Sequence, residues 1–438
     1  MTRNARGKRR AEFARAGCAA LCLAATGAVN ATDGYFSHGY GMRSKGMGGV
    51  GVALPFDAMA GANNPAGMAW VGNRMDVGID WFQPRRSAMR SGAAPGLNGS
   101  ARSDSNDFAV PEFGYNRMLR DDLSLGITVY GAGGMNTDYP GGQLNCGAGP
   151  NTANLLCGSG RLGVNLMQLT VAPTVAWKPA AEHSIGVSPL FTFQRFRLVG
   201  AQAFDNAPGF PPFTSSPGNV TNNGYDSSRG FGARVGYLGR FDRLAFGASY
   251  SSRIHMSEFS KYRGLFAGQG DFDIPARYAV GIAVEATPSV TLAADIERIR
   301  YSSIAAIGNS SASPAPLGAA NGPGFGWKDV DAVHLGVQWQ YSRAITLRAG
   351  YNHTSNPIVA NEVTFNILAP AVVQDHVTLG MSYALSAETE ITAAYMHAFG
   401  NSVSGRSLFN AVLGPGAGGT ESISMHQNSL GIAISKRF

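Results

Sequence analysis

The stretch DAVHLGVQWQY, Asp331 to Tyr341, decides how the rest of this 438-residue chain is read. Val333, Leu335, Val337, Trp339 and Tyr341 fall on one side, and Ala332, His334, Gly336, Gln338 and Gln340 on the other. Successive side chains of a strand point to opposite faces, so this is a strand with one oily face and one small or polar face. The pattern returns in Val377, Leu379, Met381, Tyr383 and Leu385 against His376, Thr378, Gly380, Ser382 and Ala384. It returns again in Tyr278, Val280, Ile282 and Val284 against Arg277, Gly281 and Glu285.

Working outward, fourteen such segments are predicted, at about 74–86, 108–118, 123–140, 161–178, 183–200, 230–241, 244–259, 272–287, 290–303, 329–342, 345–357, 374–386, 389–401 and 423–438. Short turns such as Arg120-Asp121-Asp122, Phe241-Asp242 and Pro288-Ser289 alternate with long loops such as Ser87–Asp107, Ala201–Arg229 and Ile304–Lys328. Short turns on one side, long loops on the other and an even strand number are the signature of an outer-membrane β-barrel. A soluble sandwich also alternates, but its strands average about five or six residues and its oily face points inward. These runs are longer, and their apolar faces end in Trp339, Tyr341, Tyr351, Tyr383 and Tyr395, as aromatic girdles do at a lipid boundary. A closed barrel also leaves no unpaired edge, which lipid requires. In the last segment Leu430, Ile432, Ile434 and Phe438 share one face, similar to the terminal strand of outer-membrane barrels, although Lys436 interrupts the row.

Composition agrees. Charged residues are only 14%, glycine numbers 58, and no apolar run of eighteen follows residue 31, which argues against helical membrane spans. Arg3, Arg6, Lys8, Arg9, Arg10 and Arg15, then the apolar Cys18–Val29 and the site Val29-Asn30-Ala31, predict an export signal over 1–31. That segment holds +5 (six basic residues against Glu12) of the formal +7, so the mature chain is nearly neutral. No basic tract with interleaved aromatics supports nucleic-acid binding. Cys146 and Cys157 flank a glycine-rich stretch in one expected loop and are a candidate disulfide in an oxidising compartment, with a metal pair the weaker reading.

A fourteen-strand barrel encloses more space than its own side chains fill. The segment 32–73, ahead of a barrel domain over 74–438, is the candidate plug. It is rich in glycine (Gly39, Gly41, Gly46, Gly48, Gly49, Gly51), carries no strand-like run, and ends in Asn63-Asn64-Pro65-Ala66-Gly67-Met68. Pro65 fixes its own φ and biases Asn64 away from helix, making a turn or kink there.

Asn64-Pro65-Ala66 ahead of the first strand, with FGARVGYLGRF, SYSSRIHMSEF, FDIPARYAVGIAVEATPSVTLAADIERIRYSS and GFGWKDVDAVHLGVQWQYSRAITLRAGYNHTSNP, resembles the long-chain fatty acid (FadL-like) outer-membrane transporter family over essentially all of 32–438. The resemblance implies passive uptake of long-chain fatty acids or other hydrophobic compounds, aromatic or aliphatic hydrocarbons included. It implies a displaceable N-terminal hatch, lateral exit where the third strand kinks, and a monomer in contact with outer-membrane lipid. Gly131, Gly133 and Gly134 interrupt the third strand, and glycine within a strand marks a bulge or bend. Lys328 and Arg195 match family cations implied to hold a ligand carboxylate. Extending the strand phase inward from Gln338 and His334 puts Lys328 on the lumen side, whereas alternation from Phe191 and Phe193 turns Arg195 outward. Tyr35 and Phe36 are implied to be the displaceable cork.

Other classes have less behind them. Gly46-Met47-Gly48-Gly49-Val50-Gly51 fits G-x-G-x-x-G, but neither a preceding strand nor a following helix frames it. The histidines have no metal-ligand spacing, and no cofactor or catalytic constellation is expected. A general diffusion porin or a surface-binding protein remains the alternative of another class.

Overall fold

A computed structural model describes residues 33–146, 152–206 and 213–438. The expected export signal lies outside the described residues. The wall consists of fourteen long strands, β1 (Arg74–Ser91), β2 (Phe108–Arg120), β3 (Leu123–Tyr139), β4 (Leu162–Ala180), β5 (His183–Val199), β6 (Asp226–Phe241), β7 (Leu244–Ser251), β8 (Arg277–Thr287), β9 (Val290–Ile299), β10 (Val330–Gln340), β11 (Ile345–Thr354), β12 (Asp375–Ala384), β13 (Thr389–Arg406) and β14 (Thr420–Arg437). Each pairs antiparallel with its sequence neighbours. β14 returns to β1, from Arg74↔Arg437 to Ser91↔Thr420, and closes the cylinder. No helix among the described residues is long and apolar enough to cross a membrane.

Several strand ends depart from the alternation. β1 runs on to Ser91 and β13 to Arg406, because both pair with the long β14 above the wall. β7 stops at Ser251 and β8 starts only at Arg277; the intervening chain leaves the wall and returns as a two-residue strand, His255–Met256, on β6. A second short strand, Gly99–Arg102, pairs with the upper end of β1.

The outward rows are those expected: Val333, Leu335 and Trp339 on β10, Tyr341 just after it, and Leu430, Ile432 and Ile434 on β14, are all exposed large hydrophobics. A ten- or eleven-residue strand is about 35 Å long, and tilted by ~40° it spans the ~25 Å apolar band of such barrels. Lys436, which breaks the row, sits below that band in an ion pair with Glu388. The short turns then face the periplasm and the long loops the exterior.

Inside the cylinder lies the chain from Asp33 to Gly72, in which no residue is exposed. It holds two single-turn helices, Met42–Lys45 and Ala60–Asn63, and a 3-10 helix, Pro65–Trp70, capped by Asn64. Glycine is required where this segment meets the wall. Gly49 has φ +93°, and a Cβ there would stand 1.7 Å from the His38 carbonyl oxygen; a Cβ on Gly350 of β11 would stand 2.1 Å from the Gly48 nitrogen. Backbone thus lies against backbone, leaving little room for a continuous pore.

Candidate functional site

The lower lumen fastens the N-terminal segment with polar groups from many strands. Lys45 Nζ lies 2.8 Å from Asp80 (β1) and 3.7 Å from Glu112 (β2), all three buried. Asp295 of β9 accepts the backbone N–H groups of Gly51 and Val52 at 2.7 and 2.9 Å. Gly48 N–H donates to Thr378 Oγ1 of β12, and its carbonyl lies 2.8 Å from His334 Nδ1 of β10. Asn64 donates to the carbonyls of Val52 and Tyr237 and accepts from Ala66 N–H, so its side chain ties the segment both to itself and to β6. Pro65 and Ala66 press against β5, where a Cβ on Gly186 would stand 2.3 Å from the Pro65 carbonyl carbon. Buried donors and acceptors that find partners in this way are costly to strip of them.

The upper lumen is aromatic. Tyr35 and Phe36 (ring centroids 4.8 Å apart) sit among Tyr301, Trp327 and Phe272, whose rings lie 5.0, 6.0 and 6.4 Å from that of Tyr35. Phe272 leads to Phe266 at 4.8 Å, and Phe266 to Phe196 at 4.7 Å. Phe196 and Phe266 in turn line an apolar recess beneath the outer loops with Leu198, Leu265, Phe325 and Phe365. A continuous run of rings therefore links the loops to the tip of the N-terminal segment.

That tip meets the third strand. Phe36 bridges Gly133, and Gly134 N–H donates to the Tyr35 carbonyl at 3.1 Å. The β3–β4 register slips between Gly131 and Gly133. β2 pairs with β3 only as far as Glu112↔Tyr130, although β2 continues to Phe108 along β1 and β3 to Tyr139 along β4. From Tyr130 to Thr137 both faces of β3 are buried. The strand thus bends off the wall, leaving a notch between β2 and β3 whose inner side is covered by Tyr35, Phe36 and Tyr40. Tyr40 packs against Tyr130, ring centroids 4.5 Å apart and planes tilted by 55°, and donates to the Ala132 carbonyl. Gly133 has no room for a side chain, since its Cβ would stand 2.6 Å from the Tyr35 carbonyl oxygen.

Among the residues singled out from sequence, Tyr35, Phe36, Gly131, Gly133 and Gly134 come together here, and Asn64, Pro65 and Ala66 lie at the opposite, periplasmic end of the N-terminal segment. Two expectations do not hold. Lys328 is exposed, not lumenal, because β10 begins at Val330 and the chain before it is not a strand; Trp327 is the buried neighbour, its indole N–H donating to Asn366. Arg195 is also outside the cluster, exposed on the outer face of β5, as alternation required and against the resemblance. Cys146 and Cys157 are joined, with Cα atoms 5.5 Å apart, in the loop between β3 and β4. Sequence reasoning missed Tyr301, Trp327, Phe272 and Arg277. Arg277 of β8 lies 4.8 Å from the Phe36 ring and pairs with Glu297 at 3.1 Å. A large aromatic in a glycine- and serine-rich loop, as in GFGWKD, was the available signal. Among the described residues no cluster of His, Cys, Asp or Glu could hold a metal ion.

The family described as outer membrane protein transport protein (OMPP1/FadL/TodX) matches residues 39–408. A comparison with curated proteins finds no match. Among solved structures, the toluene transporter TodX of Pseudomonas putida is 20% identical with a TM-score of 0.66, covering 93% of this chain and all of the other. A FadL homologue from Pseudomonas aeruginosa is 16% identical with a TM-score of 0.66, covering 92% and 100%. The toluene transporter TbuX of Ralstonia pickettii is 16% identical with a TM-score of 0.60, covering 92% and 99%. At such identities these likenesses concern the fold, while the family match spans most of the chain. The protein belongs to the OMPP1/FadL/TodX family of outer-membrane transport proteins, a family of channels and not of enzymes, and is an outer-membrane channel for hydrophobic compounds.

Proposed function

We propose that the chain takes up small neutral hydrocarbons passively, with the Asp33–Tyr40 tip as the displaceable part of an otherwise fixed hatch. A molecule enters the recess under the outer loops, moves along Phe196, Phe266 and Phe272, and replaces Tyr35 and Phe36 among Tyr301 and Trp327. It leaves sideways through the notch beside Gly133 into the membrane. The observation that carries this reading is the unbroken aromatic run from the recess to the notch. An apolar guest there exchanges ring contacts for ring contacts, and the polar pairings given up are confined to the Tyr35 backbone groups and the Tyr301 hydroxyl, with no buried ion pair broken. The toluene transporters among the similar solved structures support the same class.

Long-chain fatty acids are the second reading, and Arg277 is the observation in its favour, a partly buried cation beside Phe36. Its charge is already matched by Glu297, and Lys328 and Arg195 lie away from the rings. The neutral ligand is therefore preferred. The discriminating experiment measures uptake of labelled toluene and labelled oleate by cells with and without the protein. Toluene uptake falls on deletion and oleate uptake changes little; the reverse result would replace the first reading by the second, and free passage of small ions through the purified protein would favour a porin.

A further inference from the structure

Arg195 is not idle on the outer wall. The outward row of β5 is apolar through Ile185, Val187, Phe191 and Phe193 and then turns basic at Arg195 and Arg197. The eight steps from Ile185 to Phe193 rise about 27 Å along the strand, or ~20 Å along the membrane normal for a strand tilted by ~40°. Arg195 therefore stands where the ~25 Å apolar band ends on the outer-leaflet side.

The two arginines share one organising residue. Tyr225, just before β6, has the guanidinium carbons of Arg195 and Arg197 at 3.8 and 4.9 Å from its ring centre. Its hydroxyl accepts from Asn165 of β4, the register partner of Arg197, at 3.1 Å, and its carbonyl accepts from Lys261 Nζ at 2.8 Å. Arg229, outward on β6 opposite Phe193, adds a fourth cation. Elsewhere on the rim Arg161 is tied to Asp104 and Asp138, and Arg298 to Asp329 and Asp331. Arg195, Arg197 and Arg229 have no carboxylate in ion-pair range among the described residues. The nearby Asp226 carboxylate is engaged by the Lys261 N–H.

We propose that Arg195, Arg197, Arg229 and Lys261, arranged around Tyr225, bind a phosphorylated sugar headgroup of the outer-leaflet glycolipid. Planar guanidinium groups pair with phosphate in fork geometry, and here the stack on Tyr225 holds two of them ready at headgroup depth. Phe191, Phe193 and Phe231, exposed just below, offer the surface along which the acyl chains lie. The assignment is separate from the transport path, because Gln194 and Phe196, which alternate with these arginines, face inward and are buried.

The test adds purified bis-phosphorylated lipid A to the delipidated full-length protein in detergent and quantifies retained lipid by mass spectrometry. Wild type retains it. The Arg195→Ala/Arg197→Ala variant loses retention on the order of tenfold, while Arg298→Ala, whose partners lie elsewhere on the rim, behaves as wild type. Heat-modifiable mobility on gels verifies that each barrel is folded. Tyr225→Ala, which leaves every charge in place but frees the guanidiniums, gives a smaller loss and serves if the double variant does not fold. Unchanged retention in both variants overturns the assignment, as does equal retention of dephosphorylated lipid A by wild type. Displacement of the lipid by millimolar inorganic phosphate would overturn the lipid as occupant and leave a simple anion site.

Discussion

The two halves of the lumen hold the same N-terminal segment by different physics. Below, residues from Lys45 to Ala66 are fastened to β1, β2, β6, β9, β10 and β12 by ion pairs and by hydrogen bonds to backbone groups. Above, the tip from Asp33 to Tyr40 is held mainly by rings. Its hydrogen bonds include Tyr35 N–H to Tyr301 Oη, Tyr301 O–H to the Asp33 carbonyl, Gly134 N–H to the Tyr35 carbonyl, Tyr40 O–H to the Ala132 carbonyl, Asn63 Nδ2–H to the Tyr40 carbonyl, and longer ones between His38 and the Lys45 carbonyl, from Asn352 and to Asn63. An apolar guest can take the place of a ring, but nothing apolar can take the place of Lys45 between two carboxylates. The contrast teaches that the segment need not leave the barrel to admit a ligand. On the proposed function, its lower body is the seal and its tip the part that yields.

Ion conductance through single molecules in planar bilayers reads that contrast directly. The largest rise is expected for Lys45→Met, which leaves Asp80 and Glu112 buried without their cation; removing one partner of a buried pair costs about 3–5 kcal/mol. The body then shifts or takes up water, and a sustained conductance appears. Asn64→Ala removes three hydrogen bonds near the periplasmic end, at about 1 kcal/mol each, and is expected to give intermittent openings of smaller amplitude. The smallest change is expected for Tyr35→Ala with Phe36→Ala. The body remains tied, so conductance stays near wild type, while amide exchange at Gly134 quickens as its carbonyl partner is released. Conductance in this double variant equal to that of Lys45→Met would break the division, because tip and body would then move as one.

The residues differ in how far sequence could reach them. Period-two alternation gave the wall and its facing, including the outward turn of Arg195 against a family likeness that placed it on the ligand. The same rule failed at Lys328 because phase persists only while the chain stays in the sheet, and β10 begins two residues later. It misjudged β7 for the same reason, since nothing in SYSSRIHMSEF announces that the chain leaves the wall after Ser251. The glycines of the third strand marked a bend without giving its direction. That direction depends on what lies inside, namely the Tyr35 carbonyl facing Gly133.

The sequence by itself determined a closed fourteen-strand wall with an oily exterior and a glycine-rich leading segment, because strand facing and turn length are written in neighbouring residues. Only the tertiary structure decided where Tyr301, Trp327 and Phe272 meet Tyr35, where β2 and β3 part, and which arginines gather on Tyr225. Those meetings join residues up to roughly 290 positions apart, from Tyr35 to Trp327, and they exist only once closure of the cylinder has brought its loops together over one bore.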